Sequence, residues 1–319
     1  MRNLSGKRAL VTGAASGIGR AIALRLAGEG MHLLLADVDG AGLEATAYAA
    51  ESHGVEVDWR CVDVADRPQL DHLADDAIDR WAGVDLLVNN AGVSYHGFTH
   101  HMPSEEWDRI IAVNLNAPLR LTCRLLPALL ARPRAHVLNV CSVLGLVGMP
   151  RVAAYSTSKF GLVGFSESLR AEYGRWGLGV TALCPGLVRT KLFSSARPET
   201  AGQSPKQPPR WLCTTPERIA KSAVRGIRRN RPRVVVEPIA QMLFGLKQNV
   251  PSLLDWVLRW GEHRHVRQRE QHLEQVATNL EDGYRWCIDY EEQRRAQKNP
   301  DESEVGHDEP SPPRLRVAA

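Results

Sequence analysis

A short apolar strand that runs straight into a glycine-rich turn and then a helix constrains this chain more than any other feature. Lys7-Arg-Ala-Leu-Val-Thr12 reads as a buried strand and Gly13-Ala-Ala-Ser-Gly17-Ile-Gly19 as the turn. The following helix, Arg20 to Ala27, places apolar residues at Ile22, Leu24 and Leu26 with small residues between. Gly13 permits a tight turn, Gly17 lets the backbone approach a pyrophosphate, and Gly19 allows close helix–strand packing. Ser16 and Ile18 complete the loop, and the helix start offers unpaired N–H groups and a positive dipole end to phosphates. Strand, turn and helix in this order are the context a dinucleotide fingerprint needs, although the glycine spacing is a variant.

The next strand ends at Asp37. An acid there accepts hydrogen bonds from an adenosine ribose diol and repels a 2′-phosphate. Neither Ser16 nor Val38 supplies a positive charge to pair with such a phosphate, and Arg20 reads as a solvated helix residue. NAD is therefore expected over NADP.

Strands are predicted near 8–13, 32–36, 55–61, 85–89, 135–141, 179–184 and 233–236, with helices between them. Ser104 and Thr215 read as helix caps, the first before Glu105-Glu106 and the second before Pro216-Glu217. This alternation implies an α/β fold, a doubly wound parallel sheet covered on both faces. Ligands in such sheets bind beyond the strand C-termini. The glycine loop, Asp37, Asp63, Asn90, Ser142 and Pro185 all fall at predicted strand ends, so they converge on one rim.

Tyr155 and Lys159 stand four residues apart, which on a helix brings phenol and ammonium to one face. A neighbouring cation favours the phenolate of a group that is otherwise a poor base at neutral pH. A Ser142 hydroxyl brought to the same place could hold a substrate carbonyl or alcohol oxygen. Each residue has a plain alternative: Ser142 as a strand-end cap, Asn114 as a helix-kink residue, Tyr155 as an interface aromatic.

Together these residues resemble the short-chain dehydrogenase/reductase family over roughly residues 5–195. Thr12-Gly-Ala-Ala-Ser-Gly-Ile-Gly19 is similar to the family's glycine motif, Asp63-Val64 to its adenine-contacting position, and Asn89-Asn90-Ala91-Gly92 to its motif after the fourth strand. Asn114, Ser142, Tyr155 and Lys159 correspond to the family tetrad, and Pro185-Gly186, Val188 and Thr190 to the segment beside the nicotinamide. The resemblance implies hydride transfer between a nicotinamide cofactor and an alcohol or ketone. It makes Tyr155 the general acid/base, and Ser142 together with Tyr155 the contacts to the reacting oxygen. It gives Lys159 a second role on the nicotinamide ribose and has Asn114 hold a water that links Lys159 to solvent.

With 319 residues, 44% of them hydrophobic, the chain can bury a large core. A net charge of +4 is mild, and the basic cluster Ile227 to Arg233 lacks interleaved aromatics, so no nucleic-acid partner is expected. Cysteines 61, 123, 141, 184, 213 and 287 form no paired short spacing, so neither zinc nor disulfides are expected. His96, His100 and His101 read as loop histidines and no metal site is expected. The start of the chain has no long apolar stretch, and a cytoplasmic protein is expected.

Residues 1–237 are expected to form the catalytic and cofactor-binding domain, 238–298 a helical extension, and 299–319 a disordered tail. Within 187–215, a crossing loop, Trp211 and Leu212 could cover an apolar substrate, and Leu144, Leu146 and Met149 could line its wall. Three roles compete for the apolar helical stretches of 238–260, in this order: packing on the core, an oligomer contact, or a peripheral membrane contact. Leu273, Val276, Leu280, Tyr284 and Ile288 mark an amphipathic helix. A lipophilic alcohol or ketone (steroid-, retinoid- or fatty-chain-like) and a homodimer or homotetramer are expected. The alternatives are a non-redox lyase or epimerase on the same fold, without net cofactor turnover, and a cofactor-sensing binding protein. Their usual sign is a damaged tetrad, and here all four residues are present.

Overall fold

Seven strands hydrogen-bond into one parallel sheet in the computed structural model, which describes residues 1–188, 197–198 and 213–259. They are β1 (Arg8–Thr12), β2 (His32–Asp37), β3 (Val57–Cys61), β4 (Leu86–Asn89), β5 (Ala135–Val140), β6 (Leu178–Cys184) and β7 (Arg233–Val235). These are the seven strands expected from the sequence, with ends that differ by a residue or two. Their spatial order is β3-β2-β1-β4-β5-β6-β7. The chain thus winds outward from β1 in one direction, returns to β4, and winds outward in the other. Val11 sits in register with Leu35 on one side and Val88 on the other. The crevice between β1 and β4 is the switch point where ligands bind in such sheets.

The helices are α1 (Gly17–Ala27), α2 (Gly40–Glu51), α3 (Arg67–Trp81), α4 (Ser104–Ile111), α5 (Ala117–Leu130), α6 (Ala153–Tyr173), α7 (Pro216–Arg228), α8 (Pro238–Asn249) and α9 (Pro251–Arg259). The central strands are buried on both faces, which is why they read as continuous apolar runs. Leu26, Leu43 and Ile219 from α1, α2 and α7 pack on one face, and Leu70, Leu73 and Leu125 from α3 and α5 on the other. The start of α3 shows how its sequence selects that geometry. Asp66 caps it by accepting from the Gln69 N–H, Pro68 occupies the first turn, and Leu70, Leu73, Ala74, Ala77 and Trp81 form the buried stripe.

Thr215 caps α7 as expected, accepting from the Arg218 N–H at 3.4 Å. Ser104 does not cap α4. Pro103 takes that position, because its extended entry starts the helix one residue early and leaves Ser104 as the first helical residue. Helices α8 and α9 pack on the core. Leu243, Phe244, Leu246 and the buried Leu254 meet Cys141, Leu146 and Leu162. Ile239, Met242, Val250, Leu253 and Trp256 stay exposed. Among the described residues no helix is long and apolar enough to cross a membrane. The amphipathic stretch at 273–288, the tail at 299–319, and Trp211 and Leu212 lie outside the described residues.

Candidate active site

Gly13 and Gly17 have positive φ of 66° and 56°, conformations that a side chain would strain. Gly19 is required by space: a Cβ there would lie 1.9 Å from the Gly13 carbonyl oxygen. Ser16 sits at the N-cap of α1, yet its side chain makes no cap hydrogen bond and no acid occupies the first turn. The helix start therefore presents free N–H groups and a positive end, a fit for a pyrophosphate. Ile18 is half-buried and packs against the core.

Asp37 closes this loop from β2. Its carboxylate accepts from the Ala15 N–H at 3.0 Å and from the Asp39 N–H at 3.1 Å. Asn90 closes it from β4: its Nδ2 donates to the Thr12 and Gly13 carbonyls at 3.1 and 2.9 Å. Thr12 answers through Oγ1, which accepts from the N–H groups of Asn90 and Ala91 at 3.0 and 3.2 Å. Asp63 folds back on its own turn, accepting from the Ala65 N–H, and Val64 beside it is buried.

Tyr155 and Lys159 lie on one face of α6, with the ammonium 5.6 Å from the phenol ring centroid. Lys159 Nζ donates to the Val140 carbonyl at 2.9 Å, at the end of β5. Ser142 follows that strand: its Oγ accepts from the Leu144 N–H at 3.1 Å, and its hydroxyl lies near enough to the Tyr155 phenol to favour the phenolate. Burial pushes the Tyr155 phenol up to about 12, against a smaller lowering by Ser142. Burial also lowers the Lys159 ammonium. The expected lowering of the tyrosine pKa by Lys159 is therefore not met: burial strips water from the phenolate and sets the direction of the shift.

Asn114 occupies a π-helical turn, Ala112–Asn116, between α4 and α5, and is fully buried. Its Oδ1 accepts from the Val93 N–H at 2.8 Å, while Nδ2 donates to the Val93 carbonyl and to Ser158 Oγ at 2.9 and 3.2 Å. Ser158 in turn donates to the Tyr155 carbonyl at 2.7 Å. The π-helical turn agrees with the helix-kink reading of Asn114. Gly92 joins the two halves of the rim: a Cβ on it would lie 3.3 Å from Asn114 Oδ1 and 3.7 Å from Lys159 Nζ. The glycine loop, the Asn90-Ala91-Gly92 turn and the Tyr155–Lys159 pair form one continuous surface along the strand ends. A family profile described as short chain dehydrogenase matches residues 7–201, which hold this surface.

The chain belongs to the short-chain dehydrogenase/reductase family. It is 35% identical to the "Putative oxidoreductase SadH" of Mycobacterium tuberculosis over 74% of this chain and 88% of that one. A "Putative ketoacyl reductase" of Streptomyces coelicolor is 39% identical over 59% of this chain and 73% of its own length. Among solved structures, a short chain dehydrogenase/reductase from Burkholderia phymatum in complex with NAD superposes with a TM-score of 0.71 at 29% identity. That match covers 79% of this chain and 96% of the other. Members of the short-chain dehydrogenase/reductase family use a nicotinamide cofactor, and the loop geometry above fits one.

Pro185 and Gly186 follow β6, and the Pro185 carbonyl accepts from the Val143 N–H at 2.8 Å, next to Ser142. Val188 is buried and bridges to Thr214. Thr190 lies outside the described residues. Leu146 packs inward, whereas Leu144 and Met149 stay part-exposed. Sequence reasoning placed Thr12 and Asn89 in motifs without foreseeing their hydrogen bonds, and missed Ser158 and the rest of the buried chain Thr122–Asn89–Asn139–Ser166 that links α5, β4, β5 and α6. Only position could have signalled them: Thr12 abuts the first glycine, and Ser158 lies between Tyr155 and Lys159.

Proposed function

We propose that this chain is an oxidoreductase that moves a hydride between NAD and a lipophilic secondary alcohol or ketone. The convergence of Ser142, Tyr155 and Lys159 beside Gly92, continuous with the glycine loop, carries this reading. The bound nicotinamide would supply the hydride or accept it. The residues then divide the remaining work. Ser142 holds the reacting oxygen, and Tyr155 gives it a proton during reduction or takes one during oxidation. Lys159 keeps a positive charge near the phenol, and Asn114 with Ser158 fixes the start of α6. Leu144 and Met149, on the connection from Ser142 to Tyr155, favour an apolar substrate.

A spectrophotometric screen that follows the absorbance of the reduced cofactor tests this directly. The panel holds steroids, retinoids, long-chain alcohols and hydroxyacyl thioesters, each with both cofactors. Turnover with at least one apolar alcohol and NAD is expected, and its absence across the panel would overturn the reading. Asp37 supports NAD in particular, so Asp37→Asn should erode the preference for NAD about tenfold or more, by removing charge while keeping an acceptor for Ala15. Equal use of NADP by the unaltered protein would refute this assignment.

A further inference from the structure

Glu237 carries a carboxylate where the fold gives it no ordinary use. It sits between β7 and α8, at the N-cap of that helix, and its side chain makes no capping hydrogen bond. It is only 9% exposed, and burial raises its pKa. Burying a carboxylate is costly unless it is paired. Its Oε2 accepts from the Gly186 N–H at 2.5 Å, while Oε1 has no hydrogen-bond partner among the described residues. Gly186 presses against this corner: a Cβ on it would lie 2.9 Å from Glu237 Oε2 and 3.2 Å from Ala240 Cβ. The side chain thus reaches from the C-terminal helices to the turn that follows β6. At the far end of α8, Lys247 Nζ donates to the Leu146 carbonyl at 2.7 Å, beyond Ser142. Helix α8 therefore grips backbone groups of both strand-end turns at the site.

We propose that Glu237 is a positioning residue for the cofactor, which holds the Pro185–Gly186 turn at the nicotinamide end of the cleft through the Gly186 N–H. This rests on the reading of the rim as a dinucleotide site. It gives the junction between β7 and α8 a purpose beyond chain connection, because loss of the contact frees a cofactor-facing turn without removing any residue that faces the cofactor.

The test compares the full chain with Glu237→Leu, Glu237→Gln and Gln241→Ala by NADH titration, turnover and thermal melting without cofactor. Gln241 belongs to α8 and donates to the Val235 carbonyl at 2.9 Å, so its variant loosens the helix but spares Gly186. Glu237→Leu should raise the Kd for NADH about ten- to a hundredfold while melting stays near the parent's, since removing a buried carboxylate offsets the Gly186 N–H left without an acceptor. Glu237→Gln keeps an acceptor and should recover most of the affinity, and Gln241→Ala should bind as the parent does. Unchanged NADH affinity in Glu237→Leu would overturn the proposal. So would a loss that tracks a lower melting temperature and is not rescued by glutamine. A parent protein that binds neither NADH nor NADPH would instead overturn the dinucleotide reading, and this inference with it.

Discussion

Tyr155→Phe should lower turnover by about a thousandfold while the Kd for NADH stays within about twofold of the parent. Phenylalanine fills the same buried volume, and the variant loses only the phenol hydroxyl beside Ser142. The elements proposed to hold the cofactor (the glycine loop, Asp37, Asn90 and Lys159) keep their contacts, so binding and chemistry should separate. Steady-state rates and a fluorescence titration on one sample measure both. Turnover within tenfold of the parent would remove Tyr155 from the reaction, and loss of NADH binding would make it a structural residue.

The raised pKa of this phenol also predicts an asymmetry with pH. At about 12 the group is protonated throughout the neutral range, ready to donate in reduction. Oxidation needs the phenolate, which burial disfavours, so its rate should climb as pH rises from neutrality while reduction holds level. The sign for stability is the opposite. A folded-state pKa raised above 10 contributes below pH 10 and is lost only as pH climbs toward 12.

How much of this was legible in the sequence follows from the range of each signal. The seven strands and the glycine turn are local patterns of a few residues, and they appear where periodicity and punctuation put them. The rim was legible because a doubly wound sheet places strand C-termini together whatever its side chains are. The pKa of Tyr155 was not, because burial is a tertiary property: the four-residue spacing to Lys159 is correct, but desolvation dominates. Glu237 was equally hidden, since its partner Gly186 is 51 residues away and no helix or strand period connects them. Ser104 misled for a local reason. Serine before acids is a good cap signal, but proline in front of it supplied the extended entry.

Gly19→Ala should cost the protein its cofactor, with NADH affinity down about a hundredfold or more and unfolding easier by about 2 kcal/mol. One methyl group is enough because of what it meets. The Cβ would fall 1.9 Å from the Gly13 carbonyl oxygen and 2.4 Å from Asn90 Nδ2. The first contact is backbone, so no rotamer change relieves it. Either α1 moves away from the turn or the turn moves away from α1, and the 2.9 Å hydrogen bond from Asn90 to the Gly13 carbonyl is lost either way. Both movements pull the free N–H groups of the helix start from the place where Gly17 lets a phosphate approach. Gly164→Ala is the matched control. It lies on the exposed face of α6 with nothing within 4 Å of its added Cβ, so it should bind NADH normally and melt no lower than the parent. Fluorescence titration and thermal melting of both variants measure the difference. A Gly19→Ala protein that binds NADH like the Gly164 variant would mean that this turn does not hold the pyrophosphate.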